Sequence, residues 1–396
     1  MPSCSKTPLT GAHPTDSSAR MKALHIYAGP LARTAIAQRG LHPADIVTIP
    51  AAAGGPKGLI LGPLDRFIFG QWLTQSSQCV DLVGASIGAW RMATACLDDN
   101  VAALNRLEHD YIHQHFELAP GQKRPAAAEV SAQFARNLQA FYGGRVDEVL
   151  HNPRYRLHIV TSRGRHLLRR EHRLGTPLGY LGAYVTNAVH RRAMGAWLER
   201  VVFSTPGAAL PFATRDYRTR QVNLSTANFQ SALQASCSIP FVLQAVQHIP
   251  GAPPGAYWDG GITDYHLHLN YTAVDAAATK TGATQAMNTG ANDRIGIVLY
   301  PHFQQAVVPG WLDKTLKWRH RSTHFLDTMV LLAPNPEWVK TLPNGKLPDR
   351  TDFAHYGNDL AARVKVWRRA CDASAQLADE FAAWLQKPDP TLVLAL

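Results

Sequence analysis

The sequence predicts an α/β protein, and two stretches carry most of that prediction. Each is a short apolar or β-branched run that opens into a glycine-rich turn and then a helical pattern: 45–50 leading through Gly54 and Gly55 toward Leu73, and 80–83 leading through Gly84-Ala85-Ser86-Ile87-Gly88 toward Leu97. Size is the third observation. At 396 residues and 46% hydrophobic content, the chain can bury one large core, as a single α/β domain or as one domain with an appended part.

Taken in order, residues 1–20 are rich in Ser, Thr and Pro, lack the apolar block of a secretory signal and read as a disordered leader, with Met21 an alternative start. Residues 23–27 read as a strand, and 30–39 as a helix with proline in its first turn and Gly40 ending it. The β-branched run 45–50 should be a central strand. It enters Ala51-Ala52-Ala53-Gly54-Gly55-Pro56-Lys57-Gly58, small residues whose opened backbone can turn its N–H groups toward an anion. Such a loop suits an oxyanion or a phosphate. Both nucleotide fingerprints, Gly-x-x-x-x-Gly-Lys-Ser/Thr and Gly-x-Gly-x-x-Gly, are missing there, and a close-packed βα turn without a ligand stays open as a third reading.

The run 80–83 then delivers Ser86 to a tight turn before a helix rich in Ala, Met and Leu. Glycines two residues to either side, Gly84 and Gly88, are what a serine in a sharp strand-to-helix turn requires, because Cβ atoms there would collide. The pattern fits a nucleophile elbow, and alone it fits equally a glycine-rich turn holding an ordinary serine.

Residues 98–144 are helical in pattern, with an exposed Pro-Gly-Gln-Lys-Arg-Pro loop at 120–125. Strand-like runs follow at 155–161, 200–203 and 222–224. Arginines cluster at 163, 165, 169, 170, 173, 191 and 192, as either a solvated face or a patch for anionic lipid headgroups. The aromatic run before Asp259 ends in Asp259-Gly260-Gly261, where glycines let another backbone approach and free the carboxylate to face a partner. A hairpin turn would look the same. In the C-terminal part, Trp311, Leu312, Leu316 and Trp318 interleave with basic residues as on an interfacial or packed amphipathic helix, and 360–385 reads as one long core-packing helix. The expected organisation is an α/β domain over 21–300 with a mostly helical region, 301–396, packed on it.

The net charge of +11 points to an anionic partner: nucleic acid, anionic lipid or an acidic substrate. The chain has no nucleic-acid motif with interleaved aromatics, so nucleic acid is not expected. Five scattered cysteines, at 4, 79, 96, 237 and 371, make neither a disulfide framework nor a zinc site. Nothing calls for a metal or an organic cofactor. With no run of about 18 apolar residues, a cytoplasmic protein is expected, with peripheral membrane contact open to it.

Together these residues resemble the patatin-like phospholipase family. Gly54-Gly55-Pro56-Lys57-Gly58 is similar to its Gly-Gly-x-Arg/Lys-Gly oxyanion loop, with Ala52 and Ala53 in place of the loop's usual leading residues. Gly84-Ala85-Ser86-Ile87-Gly88 is similar to its Gly-x-Ser-x-Gly elbow, Asp259-Gly260-Gly261 to its Asp-Gly-Gly/Ala motif, and 235–240 to its Ala-Ser-x-Ala-x-Pro segment. The resemblance covers 46 to about 262; residues 263–396 match no motif. It implies a three-layer α/β/α fold with a mostly parallel sheet, and a lipid acyl hydrolase in which Ser86 is the nucleophile, Asp259 the base, and the backbone at Gly54, Gly55 and Gly58 the oxyanion hole. Competing expectations are a Ser-His-Asp triad using His266, His268, His302, His320, His324 or His355, an acyltransferase, and a lipid- or partner-binding module that keeps the scaffold.

Overall fold

The computed structural model describes residues 21–116, 122, 125–272 and 295–396. The leader expected over 1–20, and all but Gln122 and Pro125 of the loop at 120–125, lie outside the described residues. In chain order the strands are β1 (Leu24–Ala28), β2 (Ile46–Ala51), β3 (Val80–Ala85), β4 (Tyr155–Gly164), β5 (Leu198–Ser204), β6 (Thr219–Asn223), β7 (Val246–Gln247), β8 (Ala256–Asp259), β9 (Ile297–Pro301), β10 (Met329–Pro334) and β11 (Val393–Ala395). They form one mixed, mostly parallel sheet in the order β11-β1-β10-β9-β2-β3-β4-β5-β6, with β8 on β4 and β7 on β8. Helices flank it, giving the α/β architecture, consistent with three layers. Every residue of β3, β5, β9 and β10 is buried, and β9 and β10 are accordingly unbroken apolar runs instead of alternating ones.

The long strand β4 organises the centre. Its first six residues pair with β3, ending at Ala85↔Val160, and its next three pair with β8 on the same edge, starting at Thr161↔Asp259. One strand edge therefore receives two others end to end. The chain leaving β3 and the chain leaving β8 meet where they change over.

Several expectations change. The segment after the Gly54 loop is a succession of 3-10, α, π and 3-10 turns from Gly55 to Gln75, not one helix. Pro56, Pro63 and the glycines at 58, 62 and 70 deny it an unbroken α ladder. Residues 311–321 form two 3-10 turns, Trp311–Asp313 and Lys317–Arg319, instead of an amphipathic helix. The cause is Asp313, fully buried and bonded by Asn187, Arg191 and Arg319, which bends the backbone inward. The pattern over 360–385 divides into helices Leu360–Ala373 and Ala375–Gln386 at Ser374, whose hydroxyl donates to the Cys371 carbonyl. The C-terminal region is also not only helical: β10 and β11 flank β1, and β9 crosses the boundary expected near residue 300. No helix among the described residues is long and apolar enough to cross a membrane.

Part of the arginine cluster belongs to this frame. Arg163 bonds Glu199, Arg165 bonds the Gly195 carbonyl, and Arg191 reaches Asp264 and Asp313. Arg200 on β5, wholly buried, grips Asp264 with two hydrogen bonds of 2.7 and 2.6 Å. Burial would raise the Asp264 pKa, but Arg200 and Arg191 override it and hold the carboxyl below the usual aspartate range. Asp264 closes the turn that begins at Asp259, its N–H donating to the Gly260 carbonyl at 3.0 Å. The ion pair thus pins that turn to the sheet.

Asp264→Ala leaves the buried Arg200 charge with only its longer contacts to Asp216 and should cost about 3–5 kcal/mol in denaturant unfolding. Because the folded pKa is depressed, the pair's contribution is full above the ordinary aspartate pKa and is lost as pH falls through the folded value. The deficit of Asp264→Ala should therefore shrink in strong acid; a deficit that is the same at neutral and strongly acid pH would refute this assignment.

Candidate active site

Ser86 occupies the turn between β3 and the helix Ile87–Ala95, with φ 56° and ψ −130°, a conformation a non-glycine residue adopts only under constraint. The constraint is steric and visible at both flanking glycines. A Cβ on Gly84 would overlap the Ala89 backbone, and one on Gly88 would overlap the Ala51 carbonyl at the end of β2. The helix begins directly after Ser86, so its positive end lies beside the hydroxyl.

From β8, Asp259 comes to the same place. Ser86 Oγ donates to Asp259 Oδ2 at 2.7 Å, and Asp259 Oδ1 accepts the Gly261 N–H at 2.7 Å. Gly260 has no side chain because a Cβ there would run into the Val160 carbonyl of β4. A third part locks the two strands together: Ser236 Oγ accepts the Ser86 N–H at 2.9 Å and donates to the Val160 carbonyl at 2.7 Å. Ser236 and Cys237 end the helix Phe229–Cys237, which explains the small-residue segment before the aspartate.

Both dyad groups are buried, Ser86 4% and Asp259 5% exposed. Desolvation raises the Asp259 pKa, and the Ser86 hydroxyl, the Arg350 guanidinium, the Gly261 N–H and Lys314 pull it back. A carboxylate so balanced is more basic than a free one and still has a bonded proton donor in reach. Burial pushes the neighbouring Cys237 thiol well up, keeping it neutral and no rival to the serine.

The loop residues divide by position. Gly55 lines the same cavity as Ser86, and among the described residues the N–H groups of Gly54 and Gly55 donate to no protein acceptor. Gly58 instead packs against Ile87 and Arg91. Lys57 lies over the Phe303 ring at 5.5 Å, its pKa lowered by desolvation. The cavity, about 330 Å³, is walled by apolar side chains including Trp90, Val130, Phe134, Ile239 and Leu243. It suits an acyl chain ending at the serine.

Sequence reasoning missed Arg350. It lines the cavity with its side chain packed beside Gly55 and acts on the charge of Asp259, yet it sits ninety-one residues downstream of that aspartate in a stretch without motifs. Lys314, pushed down to about 8 by desolvation and by the Arg350 and Lys57 charges, is a second cation near the dyad. None of the six candidate histidines bonds Ser86 or Asp259. His266 meets Ala306 and Val308, His268 Val307 and Thr323, His302 Gln304, and His320 the Asp313 carbonyl, while His324 and His355 edge Phe325 and Tyr356. The competing triad therefore has no histidine in place among these six, and Ser86 and Asp259 contact each other directly.

Arg350→Gln removes a charge that lowers the Asp259 pKa, so Asp259 should hold its proton to higher pH. A pH profile of serine modification should show the acid limb displaced upward, more at low salt than at high because Arg350 is solvent-exposed. An acid limb that stays in place would remove Arg350 from the site's electrostatics.

The chain matches no model of a known protein family, and no curated protein matches it.

Proposed function

We propose that the protein is a serine-dependent lipid acyl hydrolase of patatin-like type. The observation that carries this reading is the 2.7 Å contact of Ser86 Oγ with a buried carboxylate at a strained elbow, opening on an apolar cavity. A binding module would need neither the strain nor the buried charge. The substrate class is a carboxylic ester with a fatty acyl chain, which the cavity walls suit.

Ser86 Oγ attacks the ester carbonyl carbon while its proton passes to Asp259 Oδ2, the general base already in hydrogen-bond contact. The carbonyl oxygen becomes an oxyanion, met by the free N–H groups near Gly54 and Gly55; one such donor is worth about 3–4 kcal/mol in related sites. As the tetrahedral species collapses, the C–O bond to the alcohol breaks and Asp259 returns the proton to the leaving oxygen. Water then attacks the acyl-enzyme, giving one proton to Asp259 and releasing the fatty acid, and Ser86 recovers its proton. A second alcohol in place of water would give acyl transfer by the same steps. The free thiols Cys79, Cys96, Cys237 and Cys371 support a reducing, cytoplasmic setting.

A fluorophosphonate should label the protein covalently, and Ser86→Ala should abolish labelling. Asp259→Asn keeps the shape and loses the base, so labelling and ester turnover should fall by about 10²–10⁴. Failure of the folded wild-type protein to label would dismiss the dyad as a catalyst.

A further inference from the structure

The helix Gly175–Val189 is built inside out. Its inward face carries small residues, Thr176, Gly179 and Ala183, and a Cβ on Gly179 would come within 2.7 Å of the Leu168 side chain. The large aliphatics point to solvent: Leu174 is 77% exposed, Leu178 59%, Leu181 58%, Val185 53% and Val189 81%. At 3.6 residues per turn these five positions fall within an arc of about 80°. An ordinary surface helix places its apolar stripe against the core, so this one offers its stripe to something else.

Two features say what. Basic residues flank the stripe at both ends, with Arg169, Arg170 and Arg173 before it and Arg192 after it, all exposed. These are the members of the arginine cluster that make no ion pair within the frame described above. The helix also approaches the mouth of the cavity through its inner face. Tyr180, on the same helix, contacts both Trp258, the residue before Asp259, and Phe241, with ring centroids 6.1 and 6.2 Å away. Phe241 and Val242 line the cavity yet stand 53% and 47% exposed, Phe241 at a φ of 66°.

Resting on the lipid-ester reading of Ser86, we infer that the outer face of 174–189, with Phe241 and Val242, docks the protein onto an anionic lipid surface. The aliphatics enter the acyl boundary, the flanking arginines meet headgroup phosphates, and the cavity mouth faces the layer that holds the acyl chains. Substrate then passes from the layer to Ser86 without crossing water.

The test compares wild type, Ser86→Ala and the double variant Leu178→Asp/Val185→Asp by co-sedimentation with vesicles of phosphatidylcholine, with and without phosphatidylglycerol. Both substituted side chains of the double variant face solvent, and unchanged fluorophosphonate labelling would report its fold. Wild type and Ser86→Ala should bind the anionic vesicles at least ten-fold more tightly than neutral ones, and the double variant should lose at least ten-fold of that binding. Turnover of a soluble short-chain ester should be the same in wild type and double variant. If wild type hydrolyses no ester but the binding pattern holds, the docking face stands and the hydrolase reading falls. Undiminished binding by the double variant, or no vesicle binding by wild type, would overturn the inference. So would a wild-type dimer that the double variant turns into monomer in sedimentation velocity, since a second copy would then be what covers the stripe.

Discussion

The changeover on strand β4 is the constraint on which the site depends. Val160 is the last residue of β4 to pair with β3, and Thr161 is the first to pair with β8, so Ser86 and Asp259 arrive from strands 173 residues apart in sequence with their registers already matched. Hydrogen bonds of the sheet set this alignment, not the dyad's own contact. A shift of one residue in either pairing would turn Ser86 or Asp259 to the opposite face of the sheet. Ser236 adds a cross-brace, accepting from the Ser86 backbone and donating to Val160, so the elbow is tied to β4, the strand against which β8 and its aspartate also pair. With three supports around it, the positive φ of Ser86 can persist despite its local cost.

The electrostatics follow from the same burial. A carboxylate withdrawn from water is more basic, which a proton acceptor needs, but withdrawal alone would leave it protonated and useless. The Gly261 N–H, the Ser86 hydroxyl and the Arg350 charge hold it between those limits. The nearby Arg200–Asp264 pair has the other function: it is fully buried, mutually satisfied and structural, and it anchors the turn without entering the chemistry. Two aspartates five residues apart therefore titrate in opposite directions, one raised by desolvation and one lowered by its arginines in spite of it.

Much of this was legible in the sequence where the cause is local. Steric exclusion at Gly84 and Gly88, the β-branched run of β2, and proline and glycine bounding the helix Pro30–Arg39 all act within a few residues, and the elements appear where those residues require them. The α/β class was readable for the same reason, while the mostly parallel sheet was an implication of the family resemblance. What could not be read depends on partners far along the chain. Arg350 has no motif because its role is only to place a charge near Asp259 from a distant part of the chain. Residues 311–321 have the composition of an amphipathic helix, but the buried Asp313 and its three bonded partners from elsewhere decide their path. Strand β11 was hidden for a related reason: it is three residues long and gains its place only by pairing with β1.

The inverted helix Gly175–Val189 shows how packing and surface chemistry can be separated on one element. Its attachment to the core needs close approach, which small residues at 176, 179 and 183 allow, and the side chains of Leu168 and Trp197 fill the space that Cβ atoms on Gly179 and Gly182 would claim. The core therefore supplies the bulk, and the helix's exposed aliphatic side chains take no part in that packing. Each exposed leucine or valine forgoes roughly 1.5–3 kcal/mol of burial free energy, so five on one face leave a substantial gain available to whatever covers them. Arginines at both ends of the stripe bias that gain toward an anionic surface, and on the helix's inner face Tyr180, touching Trp258 on one side and Phe241 on the other, joins the helix to the strand that carries the general base. Burial of the outer face and delivery of an acyl chain to Ser86 are thus two consequences of how a single helix is seated.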